Sequence, residues 1–180
     1  IRKMVIATGE VTTLAGTAGT SGSNDATGTS ATFDLPFGIT TDGTNVYVAD
    51  TYNHTIRKIV IATGVVSTLA GTAGTSGSND ATGTSATFNE PSGITTDGTN
   101  LYVADTGNHT IRKIVIATAE VTTLAGSGSQ GNANGTGTSA TFNQPTGITT
   151  DGTNLYVADT WNNTIRKIVI ATRVVSTLAG

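Results

Sequence analysis

The sequence predicts an all-β fold, a β-propeller built of four-stranded antiparallel blades, with three full blades and one half-blade in this chain. A 55-residue segment recurs: residues 1–55 and 56–110 differ at only eight positions, and a third copy, 111–164, is one residue shorter. Each copy consists of short β-branched runs separated by turn residues, without helical periodicity. Four strands at this period suit one propeller blade, and about four to eight blades close a ring.

The second copy illustrates the expected elements in order. We name its strands A to D along the chain and expect them at residues 93–96, 101–104, 111–116 and 121–124. The joints between them are short, and the first two are rich in Asp, Asn and Gly, residues typical of tight turns. Because tight turns join antiparallel neighbours, the four strands should form a meander. Strand B carries one tyrosine per copy (Tyr47, Tyr102 and Tyr156), which we expect to pack between blades.

A long loop joins strand D to the next strand A, for example over residues 72–92. It consists mainly of Gly, Thr, Ser, Ala, Asn and Asp, so it can bury little apart from one phenylalanine per loop. We expect Phe33, Phe88 and Phe142 to hold these loops against the sheets, and Pro91 to lead into strand A.

These elements divide the chain into a half-blade of strands C and D and three blades, each with the D–A loop that precedes it. The expected boundaries are 1–16 for the half-blade and 17–71, 72–126 and 127–180 for the blades. An isolated chain would leave a blade face and strand edges open, which favours association. We therefore expect either self-association or continuation of a longer propeller or blade array.

One recurrent motif resembles a known family. The order Asn-x-Pro-x-Gly-Ile-Thr-Thr-Asp, then Leu-Tyr-Val-Ala-Asp-Thr-Gly-Asn-His-Thr-Ile-Arg, is similar to the NHL repeat, and it recurs with its spacing kept. The resemblance implies a β-propeller, commonly six-bladed, with strand A nearest the axis and strand D outermost. It also implies diverse functions, from RNA binding and extracellular sensing to ligand binding and an amidating lyase that uses metal-binding histidines. The fold therefore does not define the function.

Composition excludes some classes of function. The chain has no cysteine, which excludes disulfides, thiol nucleophiles and zinc–thiolate sites. It has no apolar run of membrane-spanning length, so no membrane insertion is expected. The Thr-, Gly-, Ala- and Ser-rich composition with few charges favours an extracellular or cell-surface protein.

The basic residues form four Arg-Lys pairs at one repeat position, which account for eight of the nine. They are Arg2/Lys3, Arg57/Lys58, Arg112/Lys113 and Arg166/Lys167. We expect a solvated or ion-paired strand position, and a phosphate-binding ring is the alternative. The net charge of −3 counts against nucleic-acid binding, which depends on neutralising phosphates.

Three loop positions differ radically between the copies. They are Leu35, Glu90 and Gln144 before the proline; Phe37, Ser92 and Thr146 after it; and Tyr52, Gly107 and Trp161 in the B–C turn. Alternating strand direction places D–A loops and B–C turns on the same side of every blade. Variable loops on a rigid scaffold often carry binding specificity, and Trp and Tyr are frequent contact residues. We therefore predict a binding face there. The alternative is neutral sequence drift at loop tips that tolerate substitution.

Candidates for chemistry are few. Asp50, Asp105 and Asp159 end strand B, where we expect a cap of the B–C turn, paired with the nearby arginine, rather than a carboxylate ring. His54 and His109 are expected to be turn residues, since the third copy has Asn163 there. The loops around Asp25 and Asp80 offer one carboxylate each and the third loop offers none, which is too few for calcium. No catalytic residue, metal or cofactor is expected.

The sequence thus favours a non-enzymatic binding scaffold of an extracytoplasmic protein, with a protein or carbohydrate ligand. The alternative is a structural repeat unit of a surface filament or adhesin that assembles through blade edges. A lyase-type enzyme and an RNA-binding module are less favoured.

Overall fold

The computed structural model describes all 180 residues, and it confirms the predicted all-β propeller architecture. A two-stranded sheet is followed by three four-stranded antiparallel meanders. The half-blade comprises β1 (Arg2–Met4) and β2 (Val11–Thr13). The first blade comprises β3 (Pro36–Thr41), β4 (Asn45–Asp50), β5 (Thr55–Val60) and β6 (Val66–Ala70).

The second blade comprises β7 (Pro91–Thr96), β8 (Asn100–Asp105), β9 (Thr110–Val115) and β10 (Glu120–Ala125). The third blade comprises β12 (Pro145–Thr150), β13 (Asn154–Asp159), β14 (Thr164–Val169) and β15 (Val174–Ala179), and a short β11 (Gly135–Thr136) precedes it. Six three-residue 3-10 turns lie in the B–C turns and the D–A loops. None of these helical segments has the length or apolar character to cross a membrane.

Strand A is longer than the sequence predicts. Strand β7 begins at Pro91, which lies opposite Asp105, and the register shifts between Pro91 and Ile94. A proline lacks an N–H donor, so it is tolerated at the first residue of a strand or beside a bulge. The proline is therefore part of the strand as well as its lead-in.

The hydrophobic core lies between consecutive blades. Tyr47 and Ala49 of the first blade pack against Leu101 and Val103 of the second, and all four are fully buried. Strand β3 contacts β7, and β7 contacts β12, so the A strands are neighbours across the blades. Successive blades therefore pack face to face, with the A strands side by side.

The outer face of the third blade differs from the other two. Tyr102 is fully buried between blades, as predicted, but its equivalent Tyr156 is only half-buried. The expectation that Tyr156 packs between blades is wrong for this chain, because no further blade covers that face. Ile165 and Leu178 on the same blade are 40% and 56% exposed.

Each D–A loop folds across the blade that follows it. Phe33, Phe88 and Phe142 are buried under these loops. Before each phenylalanine, the loop forms a short antiparallel pairing with the outer strand D, through Thr27 with Val65, Thr82 with Glu120, and β11 with β15. The loop thus covers part of the edge that strand D would otherwise expose.

Candidate binding face

The aspartate at the end of strand B joins the B–C turn to the D–A loop. Asp50 Oδ1 accepts a hydrogen bond from the Asp34 N–H at 2.7 Å. Its Oδ2 accepts from Asn53 Nδ2 at 2.8 Å and from Arg57 Nη1 at 2.7 Å. Asp105 and Asp159 make the same contacts in the other blades. Since these three carboxylates are fully buried, they hold the turn and are not presented to solvent.

In the three full blades, the arginine of the Arg-Lys pair binds the D–A loop, whereas Arg2 of the half-blade is exposed. Arg57 Nη2 donates to Asp25 at 2.6 Å and Nη1 donates to the Thr32 carbonyl at 3.1 Å. The guanidinium also lies 5.0 Å from the centre of the Phe33 ring, within the range of a cation–π contact. Arg112 and Arg166 repeat the arrangement, with Asn134 in place of the loop aspartate in the third blade.

The loop carboxylates that sequence considered as calcium ligands therefore have another role. Asp80 pairs with Arg112 at 2.6 Å and also accepts from the Thr123 N–H at 2.9 Å. No group of three or more His, Cys, Asp and Glu residues lies close enough together to hold a metal ion. The recurrence of Asp or Asn at this loop position, opposite an invariant arginine of strand C, was the available signal for this pairing.

Two opposing effects act on the pKa of the aspartate in each buried aspartate–arginine pair. Burial raises the pKa of the Asp105 carboxyl group, and the Arg112 charge and the Asn108 hydrogen bond oppose that rise. Burial likewise raises the pKa of Asp50. The carboxylate is therefore costly to bury without its arginine.

The two histidines connect neighbouring blades. His54 and His109 adopt a left-handed backbone conformation (φ 57° and 56°), as Asn163 does, so all three are turn residues. Nδ1 of His54 accepts from the Glu90 N–H at 3.1 Å, and Nδ1 of His109 accepts from the Gln144 N–H at 3.0 Å. Burial lowers the pKa of His109, with Asp159 opposing, which favours the neutral form that can accept this bond.

The variable positions lie along the surface made of D–A loop ends and B–C turns, which we call the binding face. Its large side chains are exposed: Phe37 by 77%, Trp161 by 66%, Leu35 by 57% and Tyr52 by 55%. The backbone N–H of Tyr52 donates to the Asp34 carbonyl, so turn and loop are neighbours here. The face therefore presents apolar and aromatic groups to solvent.

The other predicted members contribute unequally to the binding face. Glu90 is exposed, and Gly107, Gln144 and Thr146 are half-buried. The prediction that Ser92 belongs to a binding face does not match its burial, since it is only 7% exposed. Its hydroxyl is bonded to the Thr106 hydroxyl at 2.6 Å and donates to the Thr146 carbonyl. Ser92 therefore packs the A strands together and offers little contact surface.

Two further features shape this face. Leu35, Glu90 and Gln144 have positive φ angles of 45°, 50° and 48°, which non-glycine residues adopt rarely. Phe37, Ser92 and Thr146 line one groove of about 330 Å³ that runs across neighbouring A strands. Sequence reasoning placed these residues on one side of the blades, but it did not reveal the groove, which requires the close approach of the A strands.

The repeated geometry of the B–C turns also bears on three Asn-x-Thr motifs, a pattern that can accept an N-linked glycan. In all three B–C turns the asparagine Nδ2 donates to the strand-end aspartate and to a carbonyl of the D–A loop; these are Asn53, Asn108 and Asn162. A glycan on that nitrogen would replace one of its two N–H donors and so remove one of these bonds, and in this structure the asparagines serve the turn.

Similar proteins were found at the level of sequence. The family model described as NHL repeat matches residues 88–114 and 142–168. NHL repeat-containing protein 2 of Bos taurus is 37% identical over 142 residues, which are 73% of this chain and 20% of that protein. Protein SUPPRESSOR OF QUENCHING 1, chloroplastic, of Arabidopsis thaliana is 34% identical over 157 residues, 81% of this chain and 15% of that protein. This chain spans about a fifth or less of the length of these curated relatives.

Solved structures with the same architecture come from Bacteroides thetaiotaomicron VPI-5482. A structural genomics protein of unknown function has a TM-score of 0.77 and 25% identity, covering 97% of this chain and 42% of that one. An auxiliary nutrient binding protein has a TM-score of 0.74 and 22% identity, covering 98% and 42%. At 22% identity, the similarity to the auxiliary nutrient binding protein indicates a shared fold alone.

Proposed function

Because this chain belongs to the NHL-repeat family of β-propellers, we propose that it is a non-enzymatic binding scaffold of an extracytoplasmic protein, with a protein or carbohydrate partner held on the binding face. Propeller blades of this kind are rigid supports whose loops can differ freely. The scaffold role is general to the fold, whereas the face, the partner and the cellular location are specific to this proposal.

One observation carries the proposal. Most of the radical differences between the copies lie on the binding face, where Phe37, Tyr52 and Trp161 are more than half exposed, and the others, at Gly64 and Val65 and their equivalents, lie in the C–D turn at the opposite end. Aromatic side chains supply large contact areas at low entropic cost and are frequent anchors of interfaces. An aromatic group that is absent from the equivalent position of a sister blade is not required by the fold, which favours a role in contact.

The absence of catalysis is part of the proposal. The buried aspartates are committed to arginines, and both histidines accept backbone hydrogen bonds, so these groups serve the turns. The extracytoplasmic location rests on the Thr-, Gly-, Ala- and Ser-rich composition with few charges. Antibody labelling of intact, unpermeabilised source cells tests it, and labelling only after permeabilisation would contradict it.

The competing functions have less support. Assembly of a filament through blade edges requires free outer strands, and the D–A loop already pairs with part of strand D in each full blade. RNA binding through the Arg-Lys pairs requires free guanidinium groups, and those of Arg57, Arg112 and Arg166 are buried in ion pairs or hydrogen bonds.

Array binding with substituted chains tests the proposed face. The labelled chain is applied to glycan and protein arrays, and the strongest ligand is then titrated against Phe37→Ala, Tyr52→Ala and Trp161→Ala. We expect at least one variant to lose about 1–3 kcal/mol of binding free energy, with the thermal midpoint of unfolding little changed, because these side chains are exposed.

The control for this experiment is Ile6→Ala. Ile6 is 93% exposed and lies in the turn between β1 and β2, at the opposite end of the blades. Equal losses in the control and the face variants would contradict the proposal, and so would full binding by all three face variants. Trp161 is the only tryptophan, so a change in its fluorescence on titration gives a second readout.

A further inference from the structure

The D–A loop of the third blade carries an asparagine where the other two loops carry an aspartate. Asn134 is equivalent to Asp25 and Asp80, and each of these aspartates pairs with the arginine of strand C at 2.6 Å. In both blades the second carboxylate oxygen accepts the N–H of a threonine in strand D, from Thr68 at 3.0 Å and from Thr123 at 2.9 Å. Both oxygens of the carboxylate therefore hold the loop in place.

The amide of Asn134 fits this position incompletely. Its Oδ1 accepts hydrogen bonds from Arg166 Nη2 at 3.0 Å and from the Thr177 hydroxyl at 3.3 Å. Its Nδ2 makes no hydrogen bond, and the N–H of Thr177 lacks the acceptor that its equivalents in the other two blades have. An amide nitrogen only donates, whereas a carboxylate accepts with both oxygens. The surroundings of this side chain therefore match a carboxylate better than an amide.

The residue that follows allows the amide to be converted. Asn134–Gly135 is the only Asn-Gly step in the chain, and the other two loops have Ala26 and Ala81 after the aspartate. The backbone nitrogen that follows an asparagine can attack the side-chain carbonyl carbon, and glycine has no Cβ atom to obstruct this attack. Strand β11 is only two residues long and Asn134 is exposed, so local opening that frees the Gly135 nitrogen costs little.

We propose that Asn134 is a modification site at which the folded protein deamidates itself to aspartate. The Gly135 nitrogen attacks Cγ of Asn134 and loses its proton, a five-membered succinimide ring forms, and the side-chain amide leaves as ammonia. Water then adds to Cγ, the bond between Cγ and the Gly135 nitrogen breaks, and that nitrogen regains a proton. The net change is the uptake of one water and the release of one ammonia, without oxidation or reduction.

The two donors on Oδ1 favour both steps. Arg166 and Thr177 polarise the Cγ carbonyl, and they stabilise the negative charge that develops on Oδ1 during the attack. Water can open the ring at either carbonyl carbon: addition at Cγ gives aspartate, and addition at the main-chain carbon gives isoaspartate. Because both donors act on the oxygen of Cγ, the folded chain directs the opening to aspartate.

Deamidation gives the third blade the contacts that the other two blades have from their sequence. The new carboxylate pairs with Arg166, and its second oxygen accepts the N–H of Thr177. Hydrogen bonds with an ionised partner are roughly twice as strong as neutral ones, so the modified loop is held more firmly against strand D. This inference does not depend on the binding face, because Asn134 lies beside the outer strand.

Mass spectrometry of the ageing chain tests this proposal. The purified chain is kept at neutral pH and physiological temperature for several weeks, and its digests are searched for the mass increase of an amide that becomes a carboxyl group. We expect this increase at Asn134 and not at Asn132, which is exposed in the same loop but is followed by alanine. An isoaspartyl methyltransferase measures the isoaspartate separately.

Substitutions separate the two steps and the consequence. Gly135→Ala installs the residue of the other two loops, and we expect the modification to be lost over the sampled period. Thr177→Val removes one donor, and we expect the ratio of aspartate to isoaspartate to fall about threefold. The matched control is Thr68→Val, which removes the equivalent hydroxyl of the first blade and should leave that ratio unchanged. Asn134→Asp should raise the thermal midpoint of unfolding by about 1–4 °C.

Several outcomes would overturn the proposal. An unmodified Asn134 in the folded chain would do so, and so would equal rates at Asn134 and Asn132. A ratio of aspartate to isoaspartate no higher in the folded chain than in the urea-unfolded chain would contradict the directing role of Arg166 and Thr177. An Asn134→Asp chain no more stable than the parent would show that the position does not favour a carboxylate.

Discussion

The guanidinium group of Arg112 joins three parts of the second blade. It bonds to Asp105 at the end of strand B and to Asp80 in the D–A loop, and it lies over the ring of Phe88. Because Arg112 is only 1% exposed, neither charge of the Arg112–Asp105 pair is solvated. Removing one member of such a pair leaves an uncompensated buried charge, which is the main source of its cost. The residue is therefore structural, and its buried guanidinium group is not free for the phosphate binding that a repeated basic pair also suggests.

Substitution of this arginine tests that role. We expect Arg112→Met to lower the free energy of unfolding by about 3–5 kcal/mol, because Asp105 stays buried without its counter-ion. Urea unfolding measures the change. The neighbouring Lys113→Met is the control and should change stability by less than about 0.5 kcal/mol, since Lys113 makes no ion pair. Similar losses for both variants would show that the buried pair is not what stabilises the blade.

At the scale of the element, the glycine in strand A is explained by the close approach of the A strand of the next blade. A Cβ atom built on Gly38 or Gly93 would overlap the backbone of the next blade's strand A, at Ser92 and Thr146. The equivalent Gly147 has only the Ala158 Cβ nearby, at 3.5 Å, because no blade follows it in this structure. Glycine in this strand therefore permits blade-to-blade packing and is not required by the backbone conformation.

The two glycines form a matched pair for a test of this packing. We expect Gly93→Ala to lower the free energy of unfolding by about 1–3 kcal/mol, because the added methyl group must displace the neighbouring strand. Gly147→Ala should change it by less than about 0.5 kcal/mol. Urea unfolding of both variants is the measurement. Equal effects would indicate a conformational cause within the strand in place of contact between blades.

At the scale of the whole molecule, the outer face of the third blade is unpaired. Leu124 is 4% exposed between the second and third blades, whereas its equivalent Leu178 is 56% exposed. Ile111 is fully buried and its equivalent Ile165 is 40% exposed. An exposed apolar face that matches a buried one favours association with another blade. We therefore propose that this 180-residue chain self-associates in solution when no further blade is joined to it.

Sedimentation analysis of the chain over a range of concentrations tests that proposal. We expect the apparent mass to rise with concentration, and Leu178→Lys to suppress the rise by placing a charge on the face. Val65→Glu is the control, because Val65 lies outside this face and the first and third copies carry Glu10 and Glu120 there. A well-folded parent chain that remains monomeric at every concentration would contradict the proposal.

The repeat in the sequence determined the architecture. Turn residues such as Asp97 and Gly98 between β-branched runs specify a meander locally, and the 55-residue period requires each blade to be built alike. Strand direction alone placed the variable positions on one side. For these reasons the strands, their order and the side of the blades that carries the variable positions were predictable, and the largest difference is the start of strand A, which moves to the proline.

Contacts between residues far apart in the chain decided the rest. The pairing of Asp25 with Arg57, the burial of Ser92 and the partial exposure of Tyr156 all depend on a loop or blade that local patterning does not describe. The groove along Phe37, Ser92 and Thr146 likewise needs the A strands of three separate blades to meet. Local propensity specifies which segments become strands, but the free energy of burying a side chain depends on what packs against it, and only the tertiary structure provides that neighbour.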